Sequence, residues 1–345
     1  MSKYDRIVRV GVDLAQSVVQ VHAVDAAGSV VAARQLQRSV FIQWCERLPK
    51  GCIVAFEACS AAHHVARELD AVGLAPKLIS PAFVTAYRMT GTTGKNDATD
   101  AEAICEAASR PHMRFVPAKT PEQQAWLAIH RLREGYIKDR TACMNRARGI
   151  LFEFGVSLPR SADRFHPLLI AALSTGDKVL PTLARTALRK CASHFREVQR
   201  QVAWCDQQIA KHVLVDVNAR RALSVRGVGP LGASAIAASV GDLSQFENSH
   251  QFGAFLGLVP RQRSTGGKQK LGRITKRGDS YLRKLLVIGA KSALIVAPRL
   301  QDPVSQWAVQ VRDRIGWPKA CVALANKNAR ILWRTLARPA DDGVA

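Results

Sequence analysis

The first hundred residues change from one hydrophobic period to another. Apolar and polar residues alternate over residues 6–13, 18–25 and 29–36, and this period of two predicts three strands. The link from Asp25 to Gly28 is predicted to be a hairpin turn, with a glycine where positive φ is needed. Three consecutive strands joined by such short links form an antiparallel meander.

From residue 39 onward, predicted helices alternate with short apolar strands. In chain order the pattern predicts helix, strand, helix, strand and short helix over residues 39–48, 52–56, 60–72, 76–80 and 81–89, and then a helix that begins near Asp97. Strands joined through helices pair in parallel, so the predicted sheet is mixed and helices cover its faces. This is the order of ribonuclease H-like nuclease domains, and it predicts an α/β domain over residues 1–115.

Residues 116–218 are predicted to be a helical segment. The stretch from Thr120 to Gln123 supplies an N-cap, a proline at the first helical position and a glutamine at the third. Helical spacing stops at a predicted break over residues 154–175 and resumes over 184–215. Two long helices joined by a turn form an antiparallel pair or a dimerising coil, and the irregular heptads do not choose between them.

Residues 219–338 are predicted to form a third, mostly helical region. It begins with a glycine turn and an apolar helix over 231–240, continues with a basic, glycine-containing loop over 260–278, and ends with two more helices. Residues 339–345 are predicted to be a frayed tail. The predicted fold class is therefore α/β plus α.

The charge balance favours a nucleic-acid partner. The 345 residues contain 50 lysines and arginines against 27 aspartates and glutamates, a formal net charge of +23. A field of this sign concentrates polyanions, although it carries no information about base sequence. The hydrophobic share of 48% excludes a chain that is disordered by composition.

Hydropathy and cysteine usage exclude several other classes. Charged residues or glycine interrupt every apolar run before it reaches the length of a membrane span, so no membrane partner is expected. The eight cysteines are scattered without ligand spacing, which argues against zinc and favours small buried side chains in a reducing compartment. We therefore expect a cytoplasmic protein.

Four carboxylates are candidate metal ligands. Asp13 ends the first predicted strand, Glu57 follows the strand over 52–56, and Asp97 and Asp100 lie three apart at a helix start, so that both face one side. If the two strands are neighbours, all four converge at one end of the sheet. Clustered carboxylates repel unless a cation neutralises them, and hard oxygen ligands favour Mg²⁺ or Mn²⁺. Such ions stabilise the oxygens of a phosphoryl transfer.

Each carboxylate also has a structural alternative. Asp13 alone is typical of a turn after a strand, and Asp97 and Asp100 alone complement a helix dipole. Glu57 is harder to explain in this way, because an unpaired charge beside an apolar strand is costly. In a basic chain with a nuclease-like strand order, the four residues together favour the metal site.

A basic loop in the third region combines glycines, arginines and a serine. Glycines let a backbone approach a phosphate closely, and the cations around them neutralise it. The predicted nucleic-acid contacts here are Arg261, Arg263, Gly266, Gly267, Lys268, Lys270, Arg273, Lys276, Arg277 and Arg283.

Ser264 lies in the middle of this loop and is a candidate nucleophile. A serine hydroxyl is a weak nucleophile unless a base or a metal activates it, and no histidine or carboxylate lies near it in the sequence. The carboxylate domain of the same chain or of another subunit could supply a metal. From residue chemistry alone, a loop hydroxyl that contacts a phosphate is favoured over a nucleophile.

The stretch from Ser224 to Gly232 is typical of a helix-hairpin-helix turn. In such a turn, glycines like Gly227 and Gly229 and the amides of the next helix bind nucleic-acid backbone without reading bases. A tight turn between two packed helices explains the same glycines, and the sequence leaves both interpretations open.

Several blocks of residues together resemble a known family. In chain order these blocks are Gly11-Val-Asp13-Leu-Ala, Phe56-Glu57-Ala, Lys95-Asn-Asp97-Ala-Thr-Asp100-Ala, Arg226-Gly-Val-Gly229-Pro, Phe255-Leu-Gly257-Leu-Val-Pro260, Arg263-Ser264-Thr-Gly-Gly267-Lys, Ile274-Thr-Lys-Arg-Gly278, Leu282-Arg-Lys-Leu285 and Ala323-Leu-Ala-Asn-Lys327. They are similar to those of DEDD-type insertion-sequence transposases with a C-terminal catalytic serine. These are the bridge-RNA-guided recombinases, relatives of the Piv-type DNA invertases. The chain departs from the family pattern at Asn96 and after Glu57, without losing a candidate catalytic residue.

The resemblance implies a fold, a reaction and partners, and a bacterial protein that associates with the nucleoid. Asp13, Glu57, Asp97 and Asp100 would form a magnesium site in a domain like that of the Holliday-junction resolvase RuvC. Ser264 would attack a DNA phosphodiester and become transiently linked to the strand. The helical segment would mediate assembly into a dimer or tetramer with shared active sites, and a structured guide RNA would pair with element-end and target DNA.

Two other functions remain open at this stage. A metal-dependent nuclease that resolves branched DNA by water attack needs the four carboxylates but predicts no protein–DNA adduct. A non-catalytic nucleic-acid-binding regulator predicts salt-dependent binding that survives loss of Asp97 and Asp100.

Overall fold

The chain folds into two compact units. The computed structural model describes residues 3–88, 96–175, 179–241, 243–263 and 270–337. One unit comprises Met1–Thr120 and the other Pro121–Ala345. The division into three regions at 115/116 and 218/219 stays a prediction, and the second of these boundaries lies inside one compact unit.

The first unit is built on a mixed six-stranded sheet. Its strands are β1 (Arg9–Leu14), β2 (Val18–Val24), β3 (Val30–Gln37), β4 (Ile53–Glu57), β5 (Ala75–Ile79) and β6 (Phe115–Val116). In the order β3-β2-β1-β4-β5-β6, the first three strands pair antiparallel, β4 and β5 run parallel to β1, and β6 returns antiparallel to β5. The predicted meander and the predicted mixed sheet are confirmed.

Helices cover both faces of this sheet. They are α1 (Arg38–Cys45), α2 (Ala62–Ala71), the short α3 (Pro81–Val84) and α4 (Asp97–Ala108). Because side chains alternate along a strand, Val10, Val12 and Phe56 enter the core that α1 and α2 close. Ala55 points to the opposite face and packs in a second core with Ile104 of α4.

The second unit begins with two long helices, α5 (Pro121–Glu153) and α7 (Thr182–Val215). They run antiparallel, since Arg133 of α5 meets Asp206 of α7 while Cys143 meets Cys191. The predicted break over 154–175 is wrong in its second half, where α6 (Phe165–Thr175) forms. Its buried side chains Phe165, Leu169 and Leu173 recur every four residues and pack against α7.

The rest of the second unit is a helical core that carries a small hairpin. Its elements are α8 (Val217–Ala222), α9 (Pro230–Val240), α10 (Ser249–Phe255), β7 (Pro260–Gln262), β8 (Leu271–Ile274), α11 (Ser280–Val296), α12 (Pro303–Ile315) and α13 (Trp317–Ala337). Three helices therefore follow the basic stretch, where two were predicted. β7 and β8 pair antiparallel inside the stretch predicted to be a loop. The predicted tail lies outside the described residues.

None of the helices within the described ranges is long and apolar enough to cross a membrane.

Candidate functional site

Strand pairing places Asp13 and Glu57 at the same end of the sheet. β1 and β4 are parallel neighbours, with Val12 opposite Phe56, so the next residue on each strand is one of the two carboxylates. Side chains two positions apart on a strand share a face. Asp13 therefore lies on the face of Gly11, and Glu57 on the face of Ala55, which is the face that α4 covers.

The start of α4 supplies the other two carboxylates. Asn96 caps the helix, since its Oδ1 accepts a hydrogen bond from the Thr99 backbone N–H at 2.9 Å. Asp100 is buried, at 8% exposure, whereas Asp97 at the first helical position is exposed. The cap explains why an asparagine precedes Asp97 and fixes which turn of α4 faces the sheet.

Gly11 allows α4 to approach β1 closely. A Cβ atom at this position would lie 2.1 Å from the Ala101 carbonyl oxygen and 2.4 Å from the Cys105 backbone nitrogen. These are backbone atoms of α4, so a rotamer change could not relieve the clash. The glycine two residues before Asp13 thus sets the distance between that strand and the helix of Asp100.

We expect Gly11→Ala to destabilise the first unit by about 3 kcal/mol or more, because overpacking here displaces backbone rather than a flexible side chain. Thermal unfolding of the full chain, with limited proteolysis to detect cleavage within residues 1–120, would measure the loss. Gly135→Ala is the control for replacing a glycine in the full chain, because Gly135 has open space around it inside α5 and an alanine there favours the helix. A melting temperature equal to that of the wild type would contradict the role of Gly11.

Arg88 joins two of the carboxylates. It follows the short turn after α3, and its Nη2 donates a hydrogen bond to Glu57 Oε1 at 3.1 Å. Its Nε lies 2.8 Å from Asp100 Oδ1. All three side chains are at most 29% exposed, so the ion pairs are only partly screened by solvent. Sequence reasoning did not identify Arg88.

Cys59 lies close enough to Glu57 and Asp13 for their charges to affect its pKa. Burial raises the pKa of the Cys59 thiol, and the negative charges of Glu57 and Asp13 raise that pKa further. Both carboxylates are therefore within electrostatic reach of one side chain, which agrees with the strand register. No contact that would bring exposed Asp97 to this group is seen in the described residues.

The chemistry of this carboxylate centre fits a hard divalent cation. We define the carboxylate centre as Asp13, Glu57, Asp97 and Asp100. Within the described ranges, no three His, Cys, Asp or Glu side chains lie close enough together to hold a metal ion. The positive charge between Glu57 and Asp100 is instead the Arg88 guanidinium. Two partly buried carboxylates thus already share one cation, and their oxygens are the donors that Mg²⁺ and Mn²⁺ prefer.

The β7–β8 hairpin is a basic surface in the second unit. Arg261, Arg263, Lys270 and Arg273 are exposed on or beside its two strands, and so are Lys276 and Arg277 just after them. None of these six forms an ion pair with a carboxylate of the described chain, whereas Arg283 is half-buried and donates to the Leu256 carbonyl. Ser264, Gly266, Gly267 and Lys268 lie outside the described residues. The six exposed cations, which we call the basic hairpin, fit a polyanion.

The predicted glycine turn connects α8 to α9. Gly227 has φ +85°, and a Cβ atom on it would lie 2.7 Å from the Gly289 carbonyl oxygen of α11. Gly229 is the N-cap of α9 and Pro230 its first residue. Close helix packing is thus sufficient to explain Gly227, and the binding of a nucleic-acid backbone by this turn stays a prediction.

A buried polar network crosses the core of the second unit. His130 of α5 contacts the Tyr281 hydroxyl and the Ser234 hydroxyl, each at 2.9 Å. The Ser234 hydroxyl also lies 2.8 Å from His212 Nδ1, and His212 Nε2 lies 3.7 Å from Asp216. Ser234 is fully buried, so this serine–histidine–aspartate chain cannot reach a substrate. Its role is to hold four helices together.

Comparison with known proteins identifies the family. A model of DEDD transposases of the IS110 type, described as Transposase, matches residues 10–155, and a model described as Transposase IS116/IS110/IS902 family matches residues 219–305. The first model covers Asp13, Glu57, Asp97 and Asp100, and the second covers the basic hairpin.

Three full-length relatives agree with these matches. A probable family 20 transposase of Pseudomonas aeruginosa is 46% identical over 96% of this chain and 97% of its own length. The transposase of insertion sequence element IS1111A from Coxiella burnetii is 39% identical over 95% of this chain and 89% of its own length. The transposase of insertion sequence element IS1328 from Yersinia enterocolitica is 36% identical over 94% of this chain and 95% of its own length. The chain belongs to the IS110/IS116/IS902 family of insertion-sequence transposases, enzymes that cleave and rejoin DNA.

Proposed function

We propose that this transposase cleaves and rejoins DNA through a transient link between Ser264 and a DNA phosphate, with the carboxylate centre as its Mg²⁺ site. Mn²⁺ is a chemically similar substitute. The observation that carries the proposal is that Asp13, Glu57 and Asp100 lie at the same end of the sheet, on the face that α4 covers, and that Arg88 bridges the last two. The match to the DEDD transposase domain, which spans these residues, supports a divalent metal as the cofactor.

Charge neutralisation and attack are divided between the two units. A bound divalent ion would supply positive charge for the phosphate oxygens and favour the ionised form of the nucleophile. Asp13, Glu57, Asp97 and Asp100 would hold that ion. The Ser264 Oγ–P bond forms while the P–O bond to a deoxyribose oxygen breaks, and that leaving oxygen takes up a proton. Attack by the hydroxyl of another strand reverses the step and frees the serine.

The nucleic-acid partners are element-end DNA, target DNA and a structured guide RNA. The basic hairpin supports backbone binding, because its six cations are exposed and carry no carboxylate partner among the described residues. Backbone contacts position a duplex and do not read its bases. A guide RNA that pairs with both DNAs would supply the sequence specificity that such contacts lack.

A homodimer or homotetramer would bring two DNA ends together. The helical segment offers apolar side chains for this assembly, since Leu183, Leu214 and Val215 of α7 are each more than 70% exposed. The nucleophile and the carboxylate centre would then come from one chain or from two.

A covalent-adduct assay tests the serine assignment. The full chain is incubated with its element-end DNA, the adjoining transcript and Mg²⁺, and is then run under denaturing conditions. We expect a shifted protein–DNA band that is lost in Ser264→Ala and in Asp97→Ala. The first variant removes the nucleophile and the second a metal ligand.

The alternatives give different patterns. Cut DNA without the shifted band, retained in Ser264→Ala, would identify a nuclease that uses water and would overturn the serine assignment. Binding that is unchanged in Asp97→Ala and Asp100→Ala, without cutting or adduct, would identify a non-catalytic regulator.

A further inference from the structure

Arg88 occupies a distinctive place in the carboxylate centre. Its guanidinium reaches Glu57 at 3.1 Å and Asp100 at 2.8 Å, from a segment that belongs neither to the sheet nor to α4. Asp100 is 8% exposed, and two carboxylates so placed repel each other unless a cation lies near both. The guanidinium therefore stabilises the arrangement of Glu57 and Asp100 in the absence of a metal.

A divalent ion would use the same oxygen atoms. Arg88 contacts Glu57 Oε1 and Asp100 Oδ1, and carboxylate oxygens of these two residues are the proposed ligands of the ion. A guanidinium and a divalent cation at one pair of oxygens repel each other strongly, because partial burial weakens solvent screening. Both cannot hold these oxygens at once.

A cavity beside Arg88 could accommodate its side chain after displacement. An open cavity of about 540 Å³ lies beside it in the first unit, and the lining includes Arg88 itself together with Glu102 and Glu106 of α4. Both glutamates are exposed. Glu106 already pairs with Arg110, so a guanidinium that leaves Glu57 and Asp100 would find the Glu102 carboxylate in this cavity.

We propose that Arg88 is a positioning residue of the carboxylate centre: it holds Glu57 and Asp100 in place, and a divalent ion displaces it on binding. The inference rests on the proposed metal site and adds a competitor to it. Arg88 acts through the carboxylates and lowers the apparent affinity for the ion.

Mn²⁺ binding to the full chain tests this directly. Calorimetric titration is carried out on the wild type, Arg88→Met, Arg88→Lys and the control Arg47→Met, which removes the same charge from an exposed position of the same unit. We expect Arg88→Met to bind Mn²⁺ about tenfold more tightly than the wild type. Arg88→Lys should lie between them, because an ammonium lacks the fork that bridges two carboxylates. Arg47→Met should match the wild type.

Thermal unfolding supplies a second readout. Without metal, Arg88→Met should unfold at a lower temperature than the wild type. Saturating Mn²⁺ should raise the melting temperature of Arg88→Met by more than it raises that of the wild type. If Arg88→Met proves too unstable to titrate, Arg88→Lys still carries the comparison.

Two failures are distinguishable. Wild-type Mn²⁺ binding that is lost in Asp100→Asn, but unchanged or weaker in Arg88→Met and in Arg88→Lys, overturns the competition and leaves the metal site standing. Absence of Mn²⁺ binding in the wild type and in both Arg88 variants overturns the proposed metal site, and the competition with it.

Discussion

Glu57→Gln should abolish metal-dependent strand cleavage by this transposase. Glutamine keeps the volume of the side chain and an oxygen that can accept the hydrogen bond from Arg88, so the local fold should survive. It removes the negative charge that would hold a divalent ion. Loss of an ion that stabilises the transition state costs several kcal/mol, which corresponds to about a thousand-fold or more in rate.

The measurement is the rate of Mg²⁺-dependent cleavage of element-end DNA in the presence of the adjoining transcript. Glu68→Gln is the matched control, because Glu68 is a half-buried residue of α2 in the same unit and its partner is His64. Cleavage by Glu68→Gln should equal that of the wild type. Cleavage by Glu57→Gln within about tenfold of the wild type would show that Glu57 is not a ligand of an essential ion.

The fold of the first unit was predictable because the hydrophobic period of its strands differs from that of its helices. Strands β1 to β3 alternate, since one face meets the core closed by α1 and α2, and that alternation can be read in the chain. β6 could not be predicted in this way, because two residues cannot establish a period. β7 and β8 were missed for another reason: they have three and four residues and are almost wholly exposed, so no buried face imposes a hydrophobic period.

The candidate site was predictable only in part. Asp13 and Glu57 could be placed together because the sequence indicated parallel strands, and each carboxylate lies within one residue of the end of its strand. Arg88 could not be paired with them, since its contacts are side-chain contacts across 31 and 12 residues of chain that no local period encodes. Asp100 is buried whereas Asp97, three residues earlier, is exposed. This difference likewise depends on how α4 packs on β1.

The polar network of the second unit was also invisible in the sequence. His130 and Ser234 are 104 residues apart, and neither lies in a recognisable motif. The network can be identified only in the folded structure, where polar side chains on α5, α7, α9 and α11 meet in an apolar core. Each buried polar group there needs a hydrogen-bond partner. That burial leads to a prediction about pH.

Lowering the pH from 7 to 4 should destabilise the second unit through His130. Burial, with the nearby His212 and Arg133 charges, lowers the pKa of His130 from 6.5 to about 4. Between these values the unfolded chain binds a proton that the folded chain does not, so stability falls as the pH falls. The contribution is fully present above pH 6.5, falls by about 2 kcal/mol at pH 5, and is reduced by about 3 kcal/mol at pH 4. The pKa of His212 is also lowered by burial, which adds in the same direction.

Urea unfolding between pH 4 and pH 7 measures this loss. In a Trp44→Phe background the other five of the six tryptophans lie in residues 121–345, so their fluorescence reports the second unit. His130→Gln should reduce stability at pH 7 by about 1–3 kcal/mol, because Tyr281 and Ser234 lose their shared partner, and should flatten the pH dependence. His194→Gln replaces an exposed histidine of α7 and should leave the slope unchanged. Equal slopes in the wild type and His130→Gln would contradict the prediction. A reduced slope would establish that four helices of the transposase depend on a neutral histidine at their centre.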